Sequence, residues 1–329
     1  MFVKFFKAQT PFVFFVLIII TMLLWGDVFI SKNTNFILFN NVNVLFNLCF
    51  SWLENSKYIS LVLSLLFIVI QAIWLNVIVV KSDITAKGTL VPSLIYVILM
   101  CSNQELLSFN GVVLSGFFIL YTLQIAFSIY GKDDIYMDVF KISMILSIAS
   151  LFYLPIFLYL SFVWLIIMIY RATKFRLIII SSVGFIIPYL YTLFFYFWFD
   201  KTSVFYQHLK NIFYSFGLHH FNFGIYLDYM PIMIACLYVV SVIGLFRKIN
   251  SRVIKTRKFI YIITWLLFLS LMIALFFSDT TLISLGLLSI PATFFVSDFF
   301  LSFKRNWLAE LIFLMIIIFI IVEKVLLLQ

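Results

Sequence analysis

Asp27 follows Gly26 directly at the far end of an unbroken apolar block, Phe12 to Trp25. A carboxylate placed beside lipid is costly unless water solvates it, a cation pairs with it or a reaction uses it. The competing reading is a water-exposed helix end. Further along, Asn103, Gln104 and Glu105 crowd into a short polar turn between two apolar blocks. There they either gather beside Asp27 or simply solvate the turn. His219 and His220, with Asp228 nearby in sequence, have the side-chain types that ligate a metal or carry protons near neutral pH. Adjacent histidines on a helix point in different directions and no third ligand accompanies them, so no metal centre is expected.

The remaining polar groups read as packing or solvation. Asp133, Asp134 and Asp138 in GKDDIYMD lack the spacing and the glycine of a calcium loop, which makes a solvated connection the expectation. Asp298 is expected to pair with nearby Lys304 and Arg305, and Glu310 reads the same way. Gln71, Asn76 and Gln124 lie inside apolar blocks, where side-chain amides bond to neighbouring helices. Cys49, Cys101 and Cys236 are isolated and read as small apolar packing residues. The chain has no P-loop, glycine-rich nucleotide fingerprint, HExxH or nucleophile elbow, which excludes ATP-driven transport by this chain alone and the common soluble enzyme classes.

The elements that must position these residues follow from composition. Of the 329 residues, 65% are hydrophobic and only 11% charged, against about a quarter charged in ordinary globular domains. The apolar residues fall in blocks of about 16 to 24, the length a helix needs to cross hydrocarbon. In lipid every backbone N–H and C=O must be satisfied within its own segment, so these blocks are helices. A β-barrel would alternate apolar and polar positions, and Leu311 to Val322 does not alternate. The expected fold is an all-α polytopic transmembrane bundle, a single integral membrane domain over 1–329 with about eleven spans. The first span covers the Phe12 block; the others lie near 59–80, 89–102, 107–130, 140–153, 155–170, 177–198, 229–246, 259–277, 281–300 and 307–327. Pro155 breaks a stretch, 139–170, that is too long for one helix. No small-x-small cleavage site follows the first block, which therefore reads as a retained span.

Placing the N-terminus in the cytoplasm, and hence the C-terminus in the periplasm, sorts the charges. Of the 22 Lys and Arg, all but Lys32, Lys57, Lys201, Lys210 and Lys324 then fall on the inner side, as the positive-inside rule requires. The net charge of +9 is a topology signal, and no nucleic-acid partner is expected. The basic run Arg247 to Lys258 is suited to anionic lipid headgroups. Two outer segments are long enough to carry interfacial helices: 30–57, with the amphipathic stretch Val42 to Leu53, and 199–228.

An inward N-terminus, a first span ending in an acid, an outer loop with an interfacial helix and then closely spaced short spans together resemble the GT-C superfamily of polyprenyl-phosphate-sugar-dependent glycosyltransferases. RATKFRLIIISSVGFIIPYLYTLFFYF (171–197) and SLGLLSIPATFFVSDFF (284–300) also resemble a family of uncharacterised multi-pass bacterial inner-membrane proteins. The resemblance implies sugar transfer from a lipid-linked donor at the outer face of the inner membrane. It implies Asp27 as the catalytic acid, acting as base or as partner of a divalent metal, with Glu105 assisting. Lys201 and Lys210 would meet the lipid phosphate. No other cofactor is implied. No second acid accompanies Asp27, because Val28, Phe29 and Ile30 follow it. The competing expectation is therefore a non-catalytic subunit or assembly factor beside a membrane protein partner. A transporter ranks third, since no inverted repeat is visible.

Overall fold

The structure, a computed structural model, describes residues 6, 11–30, 44–50, 52–53, 56–85, 89–102, 104–171, 174–215, 229–277, 281–302, 307, 310–316 and 318; a few side chains within these helices, those of Asp27 and Glu105 among them, lie outside that set. The fold is all-α. Its helices are α1 (Pro11–Ile30), α2 (Val44–Phe50), α3 (Lys57–Lys81), α4 (Val91–Cys101), α5 (Gly111–Ser128), α6 (Tyr136–Phe152), α7 (Tyr159–Ile169), α8 (Phe175–Trp198), α9 (Thr202–Ser215), α10 (Tyr229–Arg247), α11 (Ile254–Phe276) and α12 (Thr281–Ser302). Residues 310–316 are helical as well. Among the described residues five helices, Tyr58–Lys81, Gly111–Ser128, Phe175–Trp198, Ile254–Phe276 and Ser284–Ser302, are long and apolar enough to cross a membrane.

Local chemistry sets the breaks between helices. Asn110 caps α5, its Oδ1 accepting from the Val113 N–H at 2.9 Å. Tyr153 adopts extended backbone (φ −143°, ψ 99°) and ends α6, and Pro155 then opens the short 3-10 turn Leu154–Leu158. Proline is at home there because the first N–H groups of a helical segment have no partner to lose.

The helices pack through small residues and paired polar groups. Along the α6–α8 seam, Ser147 Oγ donates to the Phe185 carbonyl at 2.6 Å, and the Ser150 and Tyr189 hydroxyls meet at 2.7 Å. A Cβ on Gly184 would stand 3.0 Å from the Phe140 carbonyl, so any larger residue would press on the α6 backbone at this close approach. Gln71 ties three helices together: its Nε2 donates to the Val113 carbonyl of α5 at 2.6 Å, and Tyr96 of α4 donates to its Oε1 at 2.6 Å. Trp74 Nε1 donates to Gln124 Oε1 at 2.8 Å. Gln71 and Gln124 thus bond to neighbouring helices as expected, whereas Asn76 Oδ1, also inside an apolar block, is buried without a hydrogen-bond partner among the described residues.

Every residue of α4 is buried. It packs against α3 and α12, and Ser289 Oγ of α12, which donates to its own helix at Gly286, lies 3.1 Å from Met100 Sδ. By contrast α8 turns a row of apolar side chains outward, including Phe175, Tyr191, Phe194, Phe197 and Trp198.

The connections sort into two ends. At one end the Leu90 N–H donates to the Phe6 carbonyl, Arg252 Nη1 donates to the Ile84 carbonyl, and Lys258 lies over the rings of Tyr130 and Tyr170. This is the basic end. At the other, the Phe109 N–H donates to Ser60 Oγ, Phe46 and Phe50 of α2 pack on Phe109, and Phe157 meets Phe277. The segments 30–57 and 199–228 contain the helices α2 and α9.

Candidate functional site

The residues expected from the sequence to carry chemistry lie at the end away from the basic loops. α1 and α4 both start from the basic end, where the Leu90 N–H meets the Phe6 carbonyl, and they pack on each other. Asp27 is in the last turn of α1, and Glu105 is in the 3-10 turn Gln104–Leu107 just beyond α4. Their backbones therefore share an end of the bundle, while their side chains lie outside the described set. The turn that carries Glu105 is anchored by Leu106, whose carbonyl accepts from Ser64 Oγ at 3.4 Å and whose buried side chain lies over Gly286.

α8 leads to the same end. There Asp200 takes a left-handed conformation (φ 53°) and the Lys201 N–H donates to the Tyr196 carbonyl at 2.9 Å. The side chains of Lys201 and of Lys210 on α9 are exposed. Neither of the two cavities described below is lined by any of these four residues. Among the described residues no three His, Cys, Asp or Glu side chains stand close enough to hold a metal ion. His219, His220, Asp228 and Asp279 lie outside the described residues.

One cavity is a void of about 20 Å³ lined by apolar side chains such as Ile95, Leu99, Val296 and Phe313. That is about the space of one water molecule, with no polar group to hold one. The other, of about 350 Å³, is a cleft at the basic end where the α5–α6 connection, the α7–α8 connection and the start of α11 converge.

Two left-handed residues shape the cleft. Gly131 (φ 83°) turns the chain between α5 and α6, a conformation that a side chain would strain, and Arg171 (φ 57°) turns it between α7 and α8. The Tyr170 hydroxyl donates to the Ala126 carbonyl at 2.8 Å, joining the end of α7 to α5. Asp134 Oδ1 accepts from the Tyr136 N–H at 3.1 Å and caps the start of α6. The floor is apolar, formed by Ile129, Ile135 and Leu177.

The charges around the cleft are held mostly by rings. Lys258 Nζ stands 5.4 Å from the ring centres of both Tyr130 and Tyr170. Lys174 Nζ and Arg176 Cζ lie 5.9 and 5.0 Å from the ring of Tyr136. A ring attracts a cation through its quadrupole and leaves the N–H groups free to donate elsewhere. Lys132 is instead paired with Asp138 at 2.7 Å, and Asp133 is the one acid among the described residues that line the cleft.

An ion pair fixes the start of α11, from which Lys258 reaches in. Arg252 Nη2 meets Asp298 Oδ1 at 2.8 Å while Nη1 donates to the Ile84 carbonyl at 2.9 Å. Lys255 and Asp83 add a looser pair at 3.5 Å. The expected partners of Asp298, Lys304 and Arg305, lie outside the described residues. Its partner here comes from the α10–α11 connection, brought near by the packing of α10 and α11 on α12.

Reading the chain element by element misses this cleft, because it places GKDDIYMD as a plain solvated loop. A signal was present: tyrosine recurs beside lysine in two connections on one side, as YGK (130–132) and YRATK (170–174), and Lys258 follows at the start of α11 on that same side. Comparison with known protein families, curated proteins and solved structures finds no match for this chain.

Proposed function

We propose that this chain is a multi-pass protein of a bacterial cytoplasmic membrane. It crosses about eleven times with its N-terminus inside and its C-terminus in the periplasm, and it transfers sugar, in the manner of a GT-C-like enzyme, from a polyprenyl-phosphate donor at the outer face. The observation that carries this reading is the division of the bundle. Apolar helices separate an end crowded with Lys and Arg from an end that holds the backbones of Asp27, Glu105 and Lys201. The positive-inside rule assigns the basic end to the cytoplasm, which leaves the acids facing the compartment where lipid-linked sugars are used.

On this reading Asp27 takes the proton from an acceptor hydroxyl as it attacks the sugar, Glu105 assists, and Lys201 and Lys210 hold the departing phosphate. Two measurements test it. In a chain whose native cysteines are replaced by serine, single cysteines introduced at Asn250 and at Thr202 should be labelled by an impermeant thiol reagent from opposite sides of the membrane; labelling from one side ends the topology. Asp27→Asn should lower transfer to an acceptor by at least about 100-fold, the scale of a positioned acid or base. Transfer, or the phenotype of a deletion strain, left intact by Asp27→Asn would remove catalysis and leave a non-catalytic subunit working beside a partner protein.

A further inference from the structure

The cleft at the basic end has no role in an outer-face transfer reaction, yet it has the size and lining to take a ligand. Its volume of about 350 Å³ lies within the range of small-ligand sites, roughly 300 to 1,000 Å³. Its walls combine an apolar floor with three lysines against one acid. Aromatic walls alone would suit a cation, as in cages for quaternary ammonium groups. Here the rings of Tyr130, Tyr136 and Tyr170 already face the ammonium groups of Lys174 and Lys258 and the guanidinium of Arg176. What remains is N–H donors, directed by rings and uncommitted to carboxylates. Among the described residues no carboxylate lies within ion-pair distance of Lys174 or Lys258.

We propose that this cleft binds a phosphate-bearing anion, with Lys174 and Lys258 as the principal donors and the tyrosines holding the lysines in place. Phosphate offers several acceptor oxygens to converging ammonium groups, and lysine serves it as a point charge. The cleft lies where the apolar helices end, so an anionic phospholipid headgroup can enter with its acyl chains still among the helices. Basic pockets between membrane helices on the cytoplasmic side serve such headgroups. A small phosphorylated metabolite offers the same chemistry without the chains. The binding chemistry stands apart from the proposed transfer reaction at the opposite end, and the failure of either leaves the other untouched.

The test uses the full chain purified in a neutral detergent, titrated separately with phosphatidylglycerol, phosphatidylcholine and glycerol phosphate, with bound ligand read by native mass spectrometry. Phosphatidylglycerol should bind at least about tenfold more tightly than phosphatidylcholine. Lys174→Gln with Lys258→Gln should weaken it by about 25-fold, or about fivefold for each lysine near an anionic group. Lys174→Arg with Lys258→Arg should keep the affinity within about threefold, and Lys81→Gln, an exposed residue of the same end, should not change it. Glycerol phosphate binding as tightly as the lipid would assign the site to a soluble metabolite. The proposal fails if neither phosphate compound binds more tightly than phosphatidylcholine. It also fails if a monodisperse Gln double variant binds phosphatidylglycerol like the parent; each single variant, read the same way, decides the matter if the double variant does not fold.

Discussion

The pair of Arg252 and Asp298 holds three parts of the chain at once: the α3–α4 connection at Ile84, the start of α11 and the end of α12. The side chain of Asp298 is 6% exposed and that of Arg252 is 23% exposed. Removing one member of a buried pair strands the other, at about 3 to 5 kcal/mol. Arg252→Met leaves a nearly enclosed carboxylate and should cost about 3 kcal/mol. Asp298→Asn leaves a guanidinium that keeps its bond to Ile84 and some contact with water, so about 2 kcal/mol is expected. Replacing both, Arg252→Met with Asp298→Leu, removes the stranded charge along with the pair and should fall within about 1 kcal/mol of the parent. The assay is unfolding by sodium dodecyl sulfate in mixed micelles, followed by circular dichroism, with the four proteins forming a double-mutant cycle. A double variant as unstable as the sum of the two singles would show no coupling and refute the argument. Single variants within about 0.5 kcal/mol of the parent would refute it equally.

Two further outcomes follow from the packing. Gln71→Leu removes the donor to Val113 and the acceptor of Tyr96, and should cost about 1 kcal/mol in the same unfolding assay, the scale of hydrogen bonds between membrane helices; a variant as stable as the parent would show that the three-helix junction rests on apolar packing alone. Gly184→Val forces a side chain against the Phe140 carbonyl and should cost about 2 to 3 kcal/mol by overpacking the α6–α8 seam, whereas Gly26→Val, where a Cβ meets nothing within 4 Å, should stay within about 1 kcal/mol of the parent.

The five long helices were legible because each is an apolar block between polar residues, whereas α9, with its Gln, His, Lys and Asn, is no such block. The break at Pro155 and the bonding of Gln71 and Gln124 could be read from residue type and position alone. Pairings between distant segments could not. The basic neighbours that a local reading gives Asp298, Lys304 and Arg305, lie outside the described residues; packing on α12 brings it Arg252 from 46 positions earlier, a partner that no local reading contains. The basic cleft escaped for the same reason. Tyr130 and Tyr170 belong to two different connections and Lys258 to the start of α11, and each is unremarked until the helices bring them together. At the opposite end, sequence places Asp27, Glu105 and Lys201 on one side of the bundle, but no local pattern says which side chains converge.

The burial of α4 has a consequence in time. Its eleven residues are all enclosed, and α12 forms part of the enclosure. The ribosome reaches α12 roughly 180 residues after finishing α4, a delay of about ten to forty seconds at ordinary rates of synthesis. Throughout that interval α4 is in place with one flank uncovered. The bundle is therefore closed by a late arrival, and a nascent chain halted before Thr281 carries a short apolar helix whose finished surroundings have yet to be made.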